Sequence, residues 1–210
     1  MNRMSPGILR TRPRFQLYGG HLCLDFTNTL DDRGSEKTKE LLPSYSDLLA
    51  WALQVGIVNR RLADKLLRLS NDSPGQATTA LRAAVQLREA IYSIFSAIAE
   101  RRVVPGNALA TLNAAAQRAG AHAQVVYSHP RFVWDWISPD SSLDFLLWPI
   151  ASAAVALLTS EDLPLVRVCA AETSAWLFLD KTKNHRRRWC DMRTCGNRDK
   201  ARRYYQRRRA

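Results

Sequence analysis

Arg186-Arg187-Arg188-Trp189-Cys190-Asp191-Met192-Arg193-Thr194-Cys195-Gly196-Asn197-Arg198 is the stretch on which the reading of this chain turns. Two of the four cysteines lie in it, and it opens a run to Ala210 that is cationic almost throughout. Residues 181–210 carry 13 Lys and Arg against 2 Asp, a net +11, whereas residues 1–180 carry 18 basic against 17 acidic residues, a net +1. A nearly neutral body therefore precedes a short basic segment. Charge of this size favours polyanionic partners, nucleic acid first and an anionic membrane surface second. Its confinement to a segment that also holds cysteines and aromatics speaks against a tail that serves only solubility.

Around that stretch the pattern is strand, turn, strand, helix. Leu165-Val166-Arg167-Val168-Cys169 and Trp176-Leu177-Phe178-Leu179-Asp180 predict two strands, with Lys181 to His185 as the polar turn after the second. Arg188-Trp189-Cys190 predicts a third. From Gly196 the pattern is helical, with Ala201 and Tyr205 four apart on one face and arginines on the others. So few large apolar groups do not readily build an independent core. A structural metal would remedy this, because its binding energy becomes folding energy. Cys169, Cys190 and Cys195 are the candidate ligands, and Cys195 at a helix N-terminus gains from the helix dipole as a thiolate. A closed structural site wants four ligands. The spacing alone leaves two readings open, a zinc site or three buried thiols.

The preceding residues predict an α+β body, mainly helical with a small antiparallel sheet. Residues 1–14 read as a loose basic arm and 15–160 as the body. Phe15–Tyr18 and His21–Phe26 read as short strands around Gly19-Gly20, since Leu22, Leu24 and Phe26 alternate with polar residues and Cys23, which we take as an apolar filler. Ser44 with Asp47 predicts a capped helix to Val58, with Leu48, Trp51, Ala52 and Val55 inward and Gly56 as C-terminal cap. Further helices are expected from Asn59, over 78–102, over 108–118 and over 142–159, where Pro149 forces a kink or a restart. Residues 124–127 and 132–136 predict a β-hairpin.

The body shows no paired carboxylates and no nucleophile–base spacing, so an enzyme is not expected. His21, His122 and His129 are isolated in sequence. Asp25, Asn28 and Trp51 are candidates for a small-molecule pocket, although Asp25 and Asn28 also suit a structural role at the exit of a strand. No targeting signal is visible, and the longest uncharged run, 145–160, is shorter than the ~20 residues that span a bilayer. Reduced, clustered cysteines fit a reducing compartment. A cytoplasmic protein with no membrane partner is expected.

The run from Trp176 to Asp180, then Arg187 to Met192, then Cys195-Gly196-Asn197-Arg198 with Lys200 and Ala201, resembles the CGNR zinc finger, a bacterial C-terminal module regarded as DNA-binding. Residues 22–30 with 45–57 more loosely resemble the ABATE domain found ahead of that finger. The resemblance implies a stress-response transcription regulator, a zinc-finger-like ββα module over 165–210, and a bound Zn2+. One departure stands out. The family pattern has a cysteine pair about five positions apart, and the second falls on Ser174, a poor zinc ligand. His185 or a water then supplies the fourth bond, or this copy holds metal weakly or not at all, the module resting on Trp176, Phe178, Trp189 and Tyr205.

For a nucleic-acid surface the candidates are Arg186, Arg187, Arg188, Arg198, Lys200, Arg202, Arg203, Tyr204, Arg207 and Arg208, of which Arg202 and Arg203 are best placed to read guanine edges. DNA is the expected partner ahead of RNA. Two alternatives compete: an RNA-binding protein, and a ligand- or partner-binding body to which the finger is accessory. One short module rarely specifies an operator, which favours a homodimer.

Overall fold

The computed structural model describes residues 15–208. The expected basic arm at 1–14 and the last two residues lie outside the described residues, as does the side chain of Arg207.

The first expectation is overturned at once. Leu22–Thr27 is a short helix, α1, and not a strand. Cys23, Leu24, Phe26 and Thr27 are all buried, so this segment has no single wet face with which a two-residue period could alternate. The amides of Leu24 and Asp25 donate to the carbonyl of His21, and Thr27 Oγ1 donates to Leu24 O at 2.8 Å, closing the turn locally. After α1 come two-residue strands β1 (Leu30–Asp31) and β2 (Lys39–Glu40), paired antiparallel.

Helix α2 (Tyr45–Gln54) carries the expected capping box, Ser44 with Asp47, and Gly56 follows with φ of +80° as the left-handed C-terminal stop. Helix α3 (Arg60–Asp72) is capped by Asn59, whose side chain accepts from Leu62 N. Helix α4 runs Pro74–Ala99, four residues earlier than expected. Pro74 sits in its first turn, where the missing N–H has no intrahelical partner to lose. Helix α5 (Gly106–Ala121) buries Leu112 with Ala108, Ala115 and Ala119, three small side chains that let it lie close against α4. Strands β3 (Ala123–Ser128) and β4 (Arg131–Trp136) form the hairpin, with Val125 opposite Trp134 and Tyr127 opposite Phe132. A 3-10 turn (Leu143–Leu146) leads into α6 (Leu147–Leu158), with Pro149 in its first turn, so the proline marks a restart. None of the helices is long and apolar enough to cross a membrane, among the described residues.

Strands β5 (Val166–Val168) and β6 (Leu177–Leu179) pair antiparallel, Val166 with Leu179. A π-helical turn (Met192–Gly196) then enters α7 (Asn197–Arg207). The architecture is thus α+β, a mainly helical body followed by two strands and a helix. The third strand expected at Arg188–Cys190 does not form. One backbone bond, Ala170 N to Arg188 O at 2.8 Å, ties that segment down, while its remaining course brings Cys190 to Cys169.

Strand β6 is buried on both faces. Leu177 and Leu179 join the body's core with Leu24, Trp51, Ile91, Phe95 and Ile150, whereas Phe178 belongs to a second cluster with the three cysteines. A single strand therefore serves two cores, and the basic module is built onto the body without an open linker. Four further bonds fasten it: Leu179 N to Gly19 O at 2.8 Å, Trp176 Nε1 to Leu30 O at 3.1 Å, Tyr92 OH to Ala175 O at 3.1 Å, and Gly34 N to Thr173 O at 3.0 Å. A Cβ at Gly34 would lie 2.3 Å from Glu172 O, so this close approach demands glycine.

Candidate metal centre and cationic surface

Three polypeptide segments bring Cys169, Cys190 and Cys195 together: the end of β5, the irregular return after Trp189, and the π turn. Their sulfurs lie within 4.8 Å of one another, and all three residues are buried. The Sγ atoms of Cys190 and Cys195 are 3.5 Å apart, and Cys190 N donates to Cys169 Sγ at 3.3 Å. No disulfide links them. Ala171, Trp176 and Phe178 wall the cluster, with Tyr18 and Trp189 packed at its edge.

The three thiols share their protons unequally. Hydrogen bonds from Cys190 and Cys195 hold the Cys169 sulfur as a thiolate, far below an ordinary thiol. The same contact with Cys169 pushes Cys190 and Cys195 up. Three converging, buried sulfur donors suit a soft or borderline cation, which would replace the shared protons. The donor set therefore fits a metal ion on three sides.

His185 is not brought to this cluster. It is exposed, its backbone φ is +47°, and its Nδ1 faces Asp180 O at 2.9 Å in the turn held by Asp180, whose carboxylate accepts from Thr182 N and Arg187 N. The residue found beside the sulfurs is Ser174, buried, with Oγ 3.7 Å from Cys190 Sγ. Tyr205, expected to help pack the module, is 64% exposed on α7. Tyr204 is exposed as well, so the tyrosines of α7 are not core.

The basic residues divide into two sets. Arg187 is a fold element: its Nε donates to Trp189 O at 2.9 Å, Nη2 donates to Cys190 O, and its guanidinium lies over the Phe178 ring at 4.6 Å. Arg198 reaches Thr173 Oγ1 at 3.0 Å and Asp32 at 3.6 Å, Arg202 pairs with Glu172 and Asp199, and Arg203 pairs with Asp199 at 2.9 Å. By contrast Arg186, Arg188, Lys200 and Arg208 are exposed and make no ion pair among the described residues. Arg188 lies over the Trp189 ring and Arg208 over Tyr204, contacts that leave the cations wet. Arg193, on the π turn, joins this set, also exposed and unpaired among the described residues. Its sequence signal is its place in the basic stretch that opens at Arg186, between the two cysteines.

In the body, Asp25, Asn28 and Trp51 are held internally. Asp25 Oδ1 accepts from Gly19 N at 2.8 Å, and burial raises its pKa to about 6 against the pull of that bond. Asn28 binds the backbone of Leu177 on both sides, and Trp51 is fully buried against Phe26, rings 5.1 Å apart. A cavity of about 560 Å³ opens elsewhere, between the end of α4 and the start of β5, lined by Ile98, Arg101, Leu163, Pro164 and Arg167. An ion network that composition did not announce lies beside α1: buried Arg88 holds Glu40 at 2.7 Å and Glu89 at 2.9 Å, and Arg33 holds Glu89 at 2.6 Å.

Comparison with known families agrees with this division. A family model named ABATE and described as "Putative stress-induced transcription regulator" matches residues 20–161, and a CGNR zinc finger model matches residues 166–208. Among curated proteins no match is found. The helical body, the strand it shares with the cysteine cluster and the two family matches lead to one conclusion: this chain belongs to the ABATE family and carries a CGNR zinc finger.

Proposed function

We propose that this protein is a DNA-binding transcription regulator in which a zinc-pinned C-terminal finger docks on phosphates. The observation that carries the reading is a set of cations, Arg186, Arg188, Arg193, Lys200 and Arg208 among them, that are exposed and unpaired among the described residues, on the module that also holds three converged cysteines. Cys169, Cys190 and Cys195 would hold the Zn2+, which supplies folding energy to a module with little core of its own. Arg187 braces the turn behind them. Arg198, Arg202 and Arg203 are exposed enough to exchange their partners for phosphate, since surface pairs are worth about 0–1 kcal/mol. Tyr204, 55% exposed, is available to stack on a base or meet a phosphate. The test is titration of a duplex DNA and a structured RNA of equal length at matched salt. Tighter DNA binding supports the reading; equal or tighter RNA binding favours the RNA alternative.

The regulator works as a homodimer joined through the β3–β4 hairpin. Val125, Tyr127, Phe132 and Trp134 occupy one face of this ribbon and are 56–75% exposed. Side chains of this kind present on the order of 500 Å² per copy, so a two-fold pair would bury about 1,000 Å², the lower limit of a stable interface. A second copy of the same face is the occupant that a two-fold DNA site calls for.

A further inference from the structure

The metal reading leaves one side of the cysteine cluster to be accounted for. Among the described residues only three cysteines gather within ligand distance of a common point, and His185 is held in the Asp180 turn. The fourth side is taken by Ser174. The bond from its backbone N–H to Ala171 O at 3.1 Å turns the chain inward, and its Oγ, 3.7 Å from Cys190 Sγ, also accepts from Trp176 N at 3.4 Å. A serine hydroxyl keeps its proton at neutral pH and offers a neutral oxygen where a closed structural site has a thiolate.

Beside this corner lies a cavity of about 110 Å³. Buried Ser174, Cys190 and Cys195 line it together with the less buried Asp31, Asp32 and Arg198. It has room for more than one water and polar groups to hold them. Solvent can therefore reach the side of the cluster that the protein leaves without a strong donor.

We infer that a metal bound by Cys169, Cys190 and Cys195 keeps an exchangeable fourth position at Ser174, filled through this cavity by water or by a small thiol. The inference rests on the metal reading above. Sites with three protein ligands keep such a position, whereas four-ligand sites are closed. An incoming thiol binds as thiolate, releasing its proton to solvent and displacing the water; no electrons are transferred. The finger of this protein would then hold its metal less tightly than a closed site and respond to small thiols.

Co2+ uptake by the full-length, reduced protein tests this, followed by its visible absorption. Wild type, Ser174→Ala and His185→Ala should each take up one Co2+ with the charge-transfer intensity of three thiolates. Millimolar 2-mercaptoethanol should raise that intensity by about a third, as three sulfurs become four. Ser174→Cys should show the four-thiolate spectrum from the start, bind Co2+ at least about tenfold more tightly, and ignore the added thiol. If Ser174→Cys folds poorly, the response of wild type and Ser174→Ala to the thiol still decides. The inference is overturned if the wild-type spectrum ignores the thiol, or if His185→Ala or Ser174→Ala abolishes uptake. Absence of Co2+ uptake by wild type and Ser174→Cys alike removes the metal reading and this inference with it.

Discussion

Asn28 closes a two-bond ring on the backbone of Leu177, donating from Nδ2 to the carbonyl at 2.9 Å and accepting the amide at Oδ1 at 3.0 Å. All of these groups are buried, and 149 residues of chain separate the partners. The ring joins the end of α1 to β6, the strand that backs the cysteine cluster. The helical body thus helps to fix the position of the finger through β6, alongside the bonds at Thr173, Ala175 and Trp176.

Asn28→Ala should cost about 2–5 kcal/mol, because it strands both a buried donor and a buried acceptor on Leu177. Urea denaturation of the full chain measures this. Asn28→Asp should also destabilise, since a carboxylate cannot donate to the Leu177 carbonyl.

Arg88→Ala should cost about 3 kcal/mol, near the low end for a broken buried ion pair because Glu40 and Glu89 stay partly exposed. Burial pushes both carboxyls up, but the guanidinium bonds from Arg88 and Arg33 outweigh it and leave both pKa values lowered. Depressed carboxyl pKa values stabilise the fold above the unfolded value, about 4.3 for Glu, and this is lost as pH falls through the folded values. The stability gap between wild type and Arg88→Ala should therefore shrink below about pH 4.

Asp25 has the opposite sign. Its folded pKa of about 6 lies above the unfolded value of about 3.9, so its contribution is present below that value and lost as pH rises through 6. Asp25→Asn keeps an oxygen for the Gly19 amide. Thermal melts should show wild type losing stability relative to Asp25→Asn between pH 4 and pH 7, with the variant the more stable at neutral pH.

The hairpin face predicts self-association. Sedimentation equilibrium should find a dimer for wild type and a monomer for Phe132→Ser with Trp134→Ser, with the helical content by circular dichroism unchanged because both rings are exposed on the single chain. A monomeric wild type would refute the homodimer, and a variant that still dimerises would move the interface elsewhere.

Much of this was legible in sequence. The capping pair Ser44 and Asp47, the helix stop at Gly56, the hairpin around 128–131 and the two strands of the finger follow from local chemistry, and local chemistry is what forms them. The failures are tertiary. Leu22–Thr27 imitated a strand because six residues enclosed on several sides carry no reliable period. Arg187 looked like its neighbours Arg186 and Arg188, yet its guanidinium alone turns in to Phe178 and the Cys190 carbonyl. The three cysteines were found by their clustering, but only the folded return of the chain distinguishes Ser174 from His185 as the residue beside them.

The most direct test of the account is the salt dependence of duplex DNA binding by wild type and by a variant with Arg186, Arg188, Arg193 and Lys200 changed to alanine. The five cations alone predict a slope of log K against log salt near −4.5, and removing four of them should flatten the wild-type slope by about 3.6, with the fold intact. A wild-type slope close to zero, or one unchanged in the variant, would contradict the claim that this finger grips DNA through its unpaired cations.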